Sequence, residues 1–116
     1  MRGAVATAVA TLGHTDKPAQ VLLTLVHQPA LSERARCEFA ITLGLLGYVS
    51  EAVAVLHHLA HDKTIQPFVR ETTAYTLGQF GYPDEAKTLI LDIIQDTNAP
   101  LWVRRTAYND LKALLG

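Results

Sequence analysis

Apolar residues recur along this chain at spacings of three and four, in short blocks broken by glycine, proline and polar stretches. That spacing puts a stripe of side chains on one helix face, which then has to be buried against a neighbour. Ser32 suits an N-cap, and Phe39, Ala40, Leu43 and Leu46 follow at helical spacing until Gly47 stops the helix. Ser50 starts the next helix, with Val53, Leu56, Leu59 and Ala60 on one face. Residues 62–66 form a loop. Pro67 suits the first turn of a helix that carries Val69, Thr73, Ala74, Leu77 and Phe80 and ends at Gly81. Asp84 caps a helix with Leu89, Ile90, Ile93 and Ile94. Pro100 opens a last helix over 101–115, with Val103, Ala107, Tyr108, Leu111 and Leu114. Ahead of all these, residues 3–12 predict a first helix, and Pro18 opens a second that holds Val21, Leu22, Leu25 and Val26. No segment alternates with period two, so no sheet is expected.

The blocks are copies of one another. Four of the six arginines, Arg2, Arg36, Arg70 and Arg104, stand 34 residues apart. The same shift lays Leu43-Gly44-x-x-Gly47-Tyr48 on Leu77-Gly78-x-x-Gly81-Tyr82, Glu51-Ala52 on Glu85-Ala86, and Asp62 on Asp96. A fixed period of this size marks stacked supersecondary units, each burying its apolar face only against its neighbours. One glycine of each pair (Gly44, Gly78) lets helices approach closely, and the other (Gly47, Gly81) ends a helix. A closed bundle gives no reason for the same loop and the same arginine to return in register. The expectation is one all-α domain over 1–116, with units near 1–15, 16–49, 50–83 and 84–116. It would be an open solenoid of about seven antiparallel stacked helices, about three and a half repeats.

The arginine column carries an electrostatic oddity. Arg36, Arg70 and Arg104 lie in the first turns of their helices, where the macrodipole disfavours a cation, and Asp62 and Asp96 end the preceding helices, where an anion is disfavoured. Each choice costs roughly 0.3–1 kcal/mol locally. Their repetition suggests that they meet across the loop, Asp62 with Arg70 or Arg36, and Asp96 with Arg104 or Arg70. Each buried guanidinium would then tie one unit to the next. The competing reading is a row of arginines gripping an anion, but phosphate-binding arginines usually bring lysines with them, and these do not.

Composition narrows the classes. The chain is 49% apolar and 18% charged, with net charge −1 from ten basic and eleven acidic residues, which predicts a real core and no nucleic-acid surface. A single cysteine, Cys37, allows no internal disulfide and fits a reduced compartment, so a cytoplasmic location is expected. The longest apolar stretch, residues 4–12, is too short to span a bilayer. It keeps the 34-residue register, as a cleaved leader would have no reason to do, so it is expected to be structure and no membrane partner is expected.

The run Val69-Arg70-Glu71-Thr72-Thr73-Ala74-Tyr75-Thr76-Leu77-Gly78-Gln79-Phe80-Gly81, followed by Glu85-Ala86, resembles a HEAT repeat. The type is the short one of phycobilisome-lyase-like proteins. The resemblance covers essentially the whole chain and is strongest over 36–96. It is weaker at the front, where Val9-Ala10 replaces Leu-Gly, and at the end, where Lys112 replaces the first glycine. The 34-residue spacing is also short for a HEAT unit. Tetratricopeptide repeats share the period but want Trp three residues before Leu-Gly and Tyr three after. Ala74 and Gly81 stand there, so that pattern fails.

The HEAT resemblance implies a right-handed α-α superhelix with the second helix of each pair on the concave side. The columns on those helices that are not apolar-periodic then form the candidate surface. Across the units they read Cys37, Glu71, Arg105; Glu38, Thr72, Thr106; Ile41, Tyr75, Asn109; and Leu45, Gln79, Ala113. Phe68 and Trp102 share a further column. These positions change chemistry from unit to unit, as a recognition face does, and aromatic anchors with a polar rim suit a protein or an extended peptide. Alternatively, Phe68 and Trp102 tuck into the adjoining loops as ordinary packing.

Catalytic and metal chemistry find little support. His57 and His61 stand four apart on one side of a helix, as zinc ligands can, but no third ligand is implied, so no metal is expected. Cys37 has no histidine at a telling distance, and neither a phosphate loop nor a nucleophile elbow is present. HEAT-like hydroxylases use His-Glu pairs, and no histidine here precedes a glutamate. The expected function is a non-catalytic protein-binding scaffold module without a cofactor. The alternative is an enzyme or enzyme subunit of the bilin-lyase kind. Both ends are second-type helices without covering partners, which implies a piece of a longer array or pairing with another copy.

Overall fold

The computed structural model describes residues 16–116, and the expected helix over 3–12, with Arg2, lies outside them. Six helices follow: α1 (Asp16–Val26), α2 (Glu33–Leu45), α3 (Val49–His61), α4 (Pro67–Gln79), α5 (Pro83–Gln95) and α6 (Leu101–Leu115). Among the described residues there is no strand. The helices pack in adjacent pairs, α1 with α2, α4 with α5 and α5 with α6, as the repeat predicts.

The breakers act as the sequence indicates, with small shifts of boundary. Ser32 caps α2, its Oγ accepting from the Ala35 N–H at 3.2 Å. Gly47 and Gly81 take φ of 101° and 105°, the left-handed region that favours glycine. Around each, the chain closes the helix the same way. The Tyr48 N–H donates to the Leu43 carbonyl and the Tyr82 N–H to the Leu77 carbonyl, both at 3.0 Å. The Gly47 and Gly81 N–H groups donate to the carbonyls of Gly44 and Gly78, at 3.1 and 3.3 Å. This paired closure satisfies carbonyls that the helix end would otherwise strand. The tyrosine that ends one helix also starts the next: Tyr82 precedes Pro83, and its carbonyl accepts from the Ala86 N–H. So Asp84 is not the cap of α5 but a first-turn residue, where its charge suits the dipole. Likewise α3 starts at Val49 rather than Ser50, α1 begins before Pro18, and Pro100 is the residue before α6.

A β-carbon added at Gly81 would meet nothing within 4 Å, so its cost would lie in the backbone alone. Gly81→Ala is expected to lower stability by about 1–2 kcal/mol in thermal denaturation. An unchanged midpoint would mean the left-handed turn is not needed.

The chain divides into two bodies, Met1–Val55 and Leu56–Gly116, the division falling within α3. In the first, Ala19, Leu22 and Val26 of α1 and Phe39, Ala40 and Leu43 of α2 are buried. In the second, the core is Val69, Ala74 and Leu77 of α4, Ala86, Leu89, Ile90 and Ile93 of α5, and Val103 and Ala107 of α6. Gly78 earns its place here: a methyl on it would stand 2.9 Å from Leu114 Cδ2 and 3.1 Å from Ala86 Cβ. Three helices meet at that point, and an added methyl would have to displace the end of the Leu114 side chain and press on Ala86.

The arginine column resolves the electrostatic oddity. Arg36 donates from Nε to the Val26 carbonyl at 2.8 Å and from Nη2 to the Gln28 carbonyl at 2.6 Å. Arg104 donates from Nε to the Ile94 carbonyl at 2.9 Å. Each arginine begins its own helix, but its guanidinium reaches the end of the preceding one, where carbonyls are unpaired and the dipole favours a cation. Arg70 is the most buried of them, donating from Nε to the Ile65 carbonyl at 3.1 Å and lying 3.5 Å from Asp96. Of the two partners expected for Asp96, the structure selects Arg70.

Asp62 does something else. Its Oδ1 accepts from the Thr64 N–H at 3.0 Å and from the Thr64 hydroxyl at 2.6 Å, and these bonds hold its carboxyl below the usual range, with Arg70 only a minor cause. Asp96 makes the same turn, accepting from the Asn98 N–H at 2.9 Å. The repeated aspartate is therefore first a loop former.

Candidate functional face

Helices α4 and α6 are the second-type helices of the Leu56–Gly116 body, and they touch. Phe68, Thr72, Tyr75 and Gln79 recur along one side of α4, and Trp102, Arg105 and Asn109 along one side of α6. The Phe68 and Trp102 rings lie 5.2 Å apart and tilted by 43°, an arrangement aromatic pairs favour. Phe68 is half-buried, while Trp102 remains 56% exposed. Packing therefore accounts for Phe68 and leaves more than half of Trp102 open. Tyr75 and Thr72 are half-buried, and Gln79, Arg105 and Asn109 are exposed.

Arg105 and Asn109 also line a shallow apolar groove of about 350 Å³, together with Ile94, Leu101, Arg104 and Tyr108. In the Met1–Val55 body, Glu38, Ile41 and Leu45 share one side of α2; the first two are half-buried and Leu45 is 77% exposed.

Glu71 departs from the expectation. Placed on the polar rim by its column, it is instead 2% exposed, held between α4 and α6. Its carboxyl is hydrogen-bonded to that of Asp110, and its Oε2 has no hydrogen-bond partner. Burial first, then the hydrogen bond and negative charge of Asp110, push the Glu71 carboxyl up to about 9. Burial disfavours the charged form, and two carboxyl groups in contact need a proton between them. Cys37, in the same column, is also buried, so two members of this column face inward. Arg105, the third member, is exposed. The sequence signals Asp110 only through the register, where it replaces the threonines Thr42 and Thr76 of its column.

A second cluster joins α3 to α5. His57 Nδ1 and His61 Nε2 lie 2.7 and 2.6 Å from the same oxygen of Glu85, Oε2. Glu85 repeats Glu51 in the register and so reads as repeat signature in the sequence. Only the fold places it against the last turns of α3.

A family model for HEAT repeats matches residues 30–112. The chain belongs to the HEAT-repeat family, whose members generally mediate protein–protein interaction. No curated protein and no solved structure matches the chain. Among the described residues, no helix is long and apolar enough to cross a membrane.

Proposed function

We propose that the chain is a non-catalytic scaffold module that binds a protein or an extended peptide. In the Leu56–Gly116 body the binding face is built from Phe68, Tyr75 and Gln79 of α4 and Trp102, Arg105 and Asn109 of α6. The observation that carries this reading is Trp102, exposed over more than half its surface yet fixed against Phe68. A large ring held in one orientation in the open loses little freedom on binding, which makes it an anchor. Arg105, Asn109 and Gln79 supply a polar rim able to hydrogen-bond a backbone. Glu38, Ile41 and Leu45 offer a comparable strip on α2.

The test is a peptide selection against the folded chain, followed by affinity measurements on the selected peptides. Trp102→Ala is expected to weaken binding at least about tenfold while leaving the melting temperature nearly unchanged. Equal affinity for the parent and Trp102→Ala would remove this face from the account. Purification with a bound tetrapyrrole chromophore would favour the bilin-lyase alternative.

A further inference from the structure

The histidine–glutamate cluster joining α3 to α5 is absorbed neither by the repeat nor by the proposed binding face. His57 and His61 stand one turn apart at the end of α3, their rings 4.6 Å between centroids, and Glu85 comes from the first turn of α5. Each of the three offers one ligand atom, and these atoms all lie within 4.8 Å of one another. Both imidazole nitrogens converge on one carboxylate oxygen, at 2.7 and 2.6 Å. In the aligned positions of the other units, His57 is replaced by Leu23 and Leu91, and His61 by His27 and Gln95. The glutamate is a repeat feature, whereas the pair of histidines belongs to this unit alone.

We propose that His57, His61 and Glu85 form a zinc site that clips the end of α3 to the start of α5. Two imidazoles and one carboxylate are a donor set that zinc favours, whereas magnesium and calcium prefer oxygen ligands throughout. Tetrahedral zinc with bonds of about 2.0–2.2 Å holds its ligand atoms roughly 3.3 Å apart. The two histidine–glutamate contacts must therefore open by roughly 0.6 Å to admit the ion. The side chains have room to do so, being 54%, 49% and 24% exposed for His57, His61 and Glu85. Backbone electrostatics help, because the end of α3 is the negative pole of its dipole and favours a cation. Three protein ligands leave a fourth position open to water.

The experiment uses the full chain stripped with a chelator and titrated with Zn²⁺ alone, in calorimetry and in competition with a chromophoric zinc indicator. One equivalent should bind and raise the thermal midpoint, because an ion held by two helices favours the folded state. Co²⁺ in its place should give the visible absorption of a tetrahedral ion. Glu85→Gln and His57→Ala should each weaken binding more than the roughly 10–100-fold lost when an outer-shell partner of a metal ligand is removed. His58→Ala, outside the cluster, should bind as the parent does. The altered side chains are partly exposed, so helix content checked by circular dichroism should match the parent. No saturable zinc binding by the parent, or an unchanged affinity in Glu85→Gln, would overturn the proposal.

Discussion

Glu71→Gln is expected to make the protein more stable at neutral pH, by an amount that grows as the pH rises. In the folded chain burial and Asp110 push the Glu71 carboxyl up to about 9, whereas its ordinary value is 4.5. Between those values the folded state holds a proton that the unfolded state has released. The stability tied to that proton is fully present below pH 4.5 and is lost as the pH rises towards 9. At about 1.4 kcal/mol per pH unit, the loss between pH 4.5 and 7 is on the order of 3 kcal/mol. Glutamine has the shape of the protonated acid, can donate to Asp110 and does not titrate. Denaturant unfolding at pH 5, 7 and 9 should show parent stability falling along the series and the variant nearly level. Parallel curves would show that Glu71 is ionised in the folded protein. Asp110→Asn should flatten the parent curve partly, since it removes the second cause and leaves burial.

Arg70→Ala is expected to cost about 2–4 kcal/mol, more than the same change at Arg36 or Arg104. The Arg70 side chain is 10% exposed and serves two groups at once, the Ile65 carbonyl at 3.1 Å and Asp96 at 3.5 Å. Its removal leaves a carbonyl and a carboxylate without their cation, in a place water reaches poorly. Arg70→Lys should recover only part of the loss, because an ammonium lacks the planar fork that reaches both groups. Asp96→Asn should cost less than Arg70→Ala, since Asp96 is 30% exposed and the amide oxygen still accepts from the Asn98 N–H. Denaturant unfolding ranks the variants. A loss at Arg70→Ala within error would show that the guanidinium does not tie α4 to the loop after α5.

The repeat alone makes the helix order legible in the sequence. Gly47 and Gly81 end helices because their backbones turn left-handed, and the interval between them states the unit length. Burial followed from period as well: Leu43 and Leu77, one unit apart, are both fully buried. Boundaries shifted where one residue serves two helices, as Tyr82 does, because the chain has no spare residue there for a separate cap.

The candidate face was only partly legible. Phe68 and Trp102 were found through their shared column, and the structure brings their rings together. Glu71 was misplaced because a column that varies between units can face a neighbouring helix as easily as solvent. Asp110 and Glu85 carry no signal of their partners in the sequence, because their significance depends on what stands opposite them. The sequence suggests pairs of opposite charge for the arginines, whereas main-chain carbonyls, which no sequence displays, are their principal partners.

By itself, the sequence determined the helical class, the unit, the capping glycines and core columns such as that of Leu43 and Leu77, since these depend on spacing along one helix and on backbone sterics, whereas Val21, Leu25 and Tyr108 of the same stripes stand exposed. Tertiary structure alone decided that the buried Glu71 carboxyl meets Asp110, that Arg70 serves Asp96, and that two histidines meet Glu85. Those outcomes depend on which side chains adjacent helices bring within about 3 Å of each other, where hydrogen bonding and charge are felt most strongly.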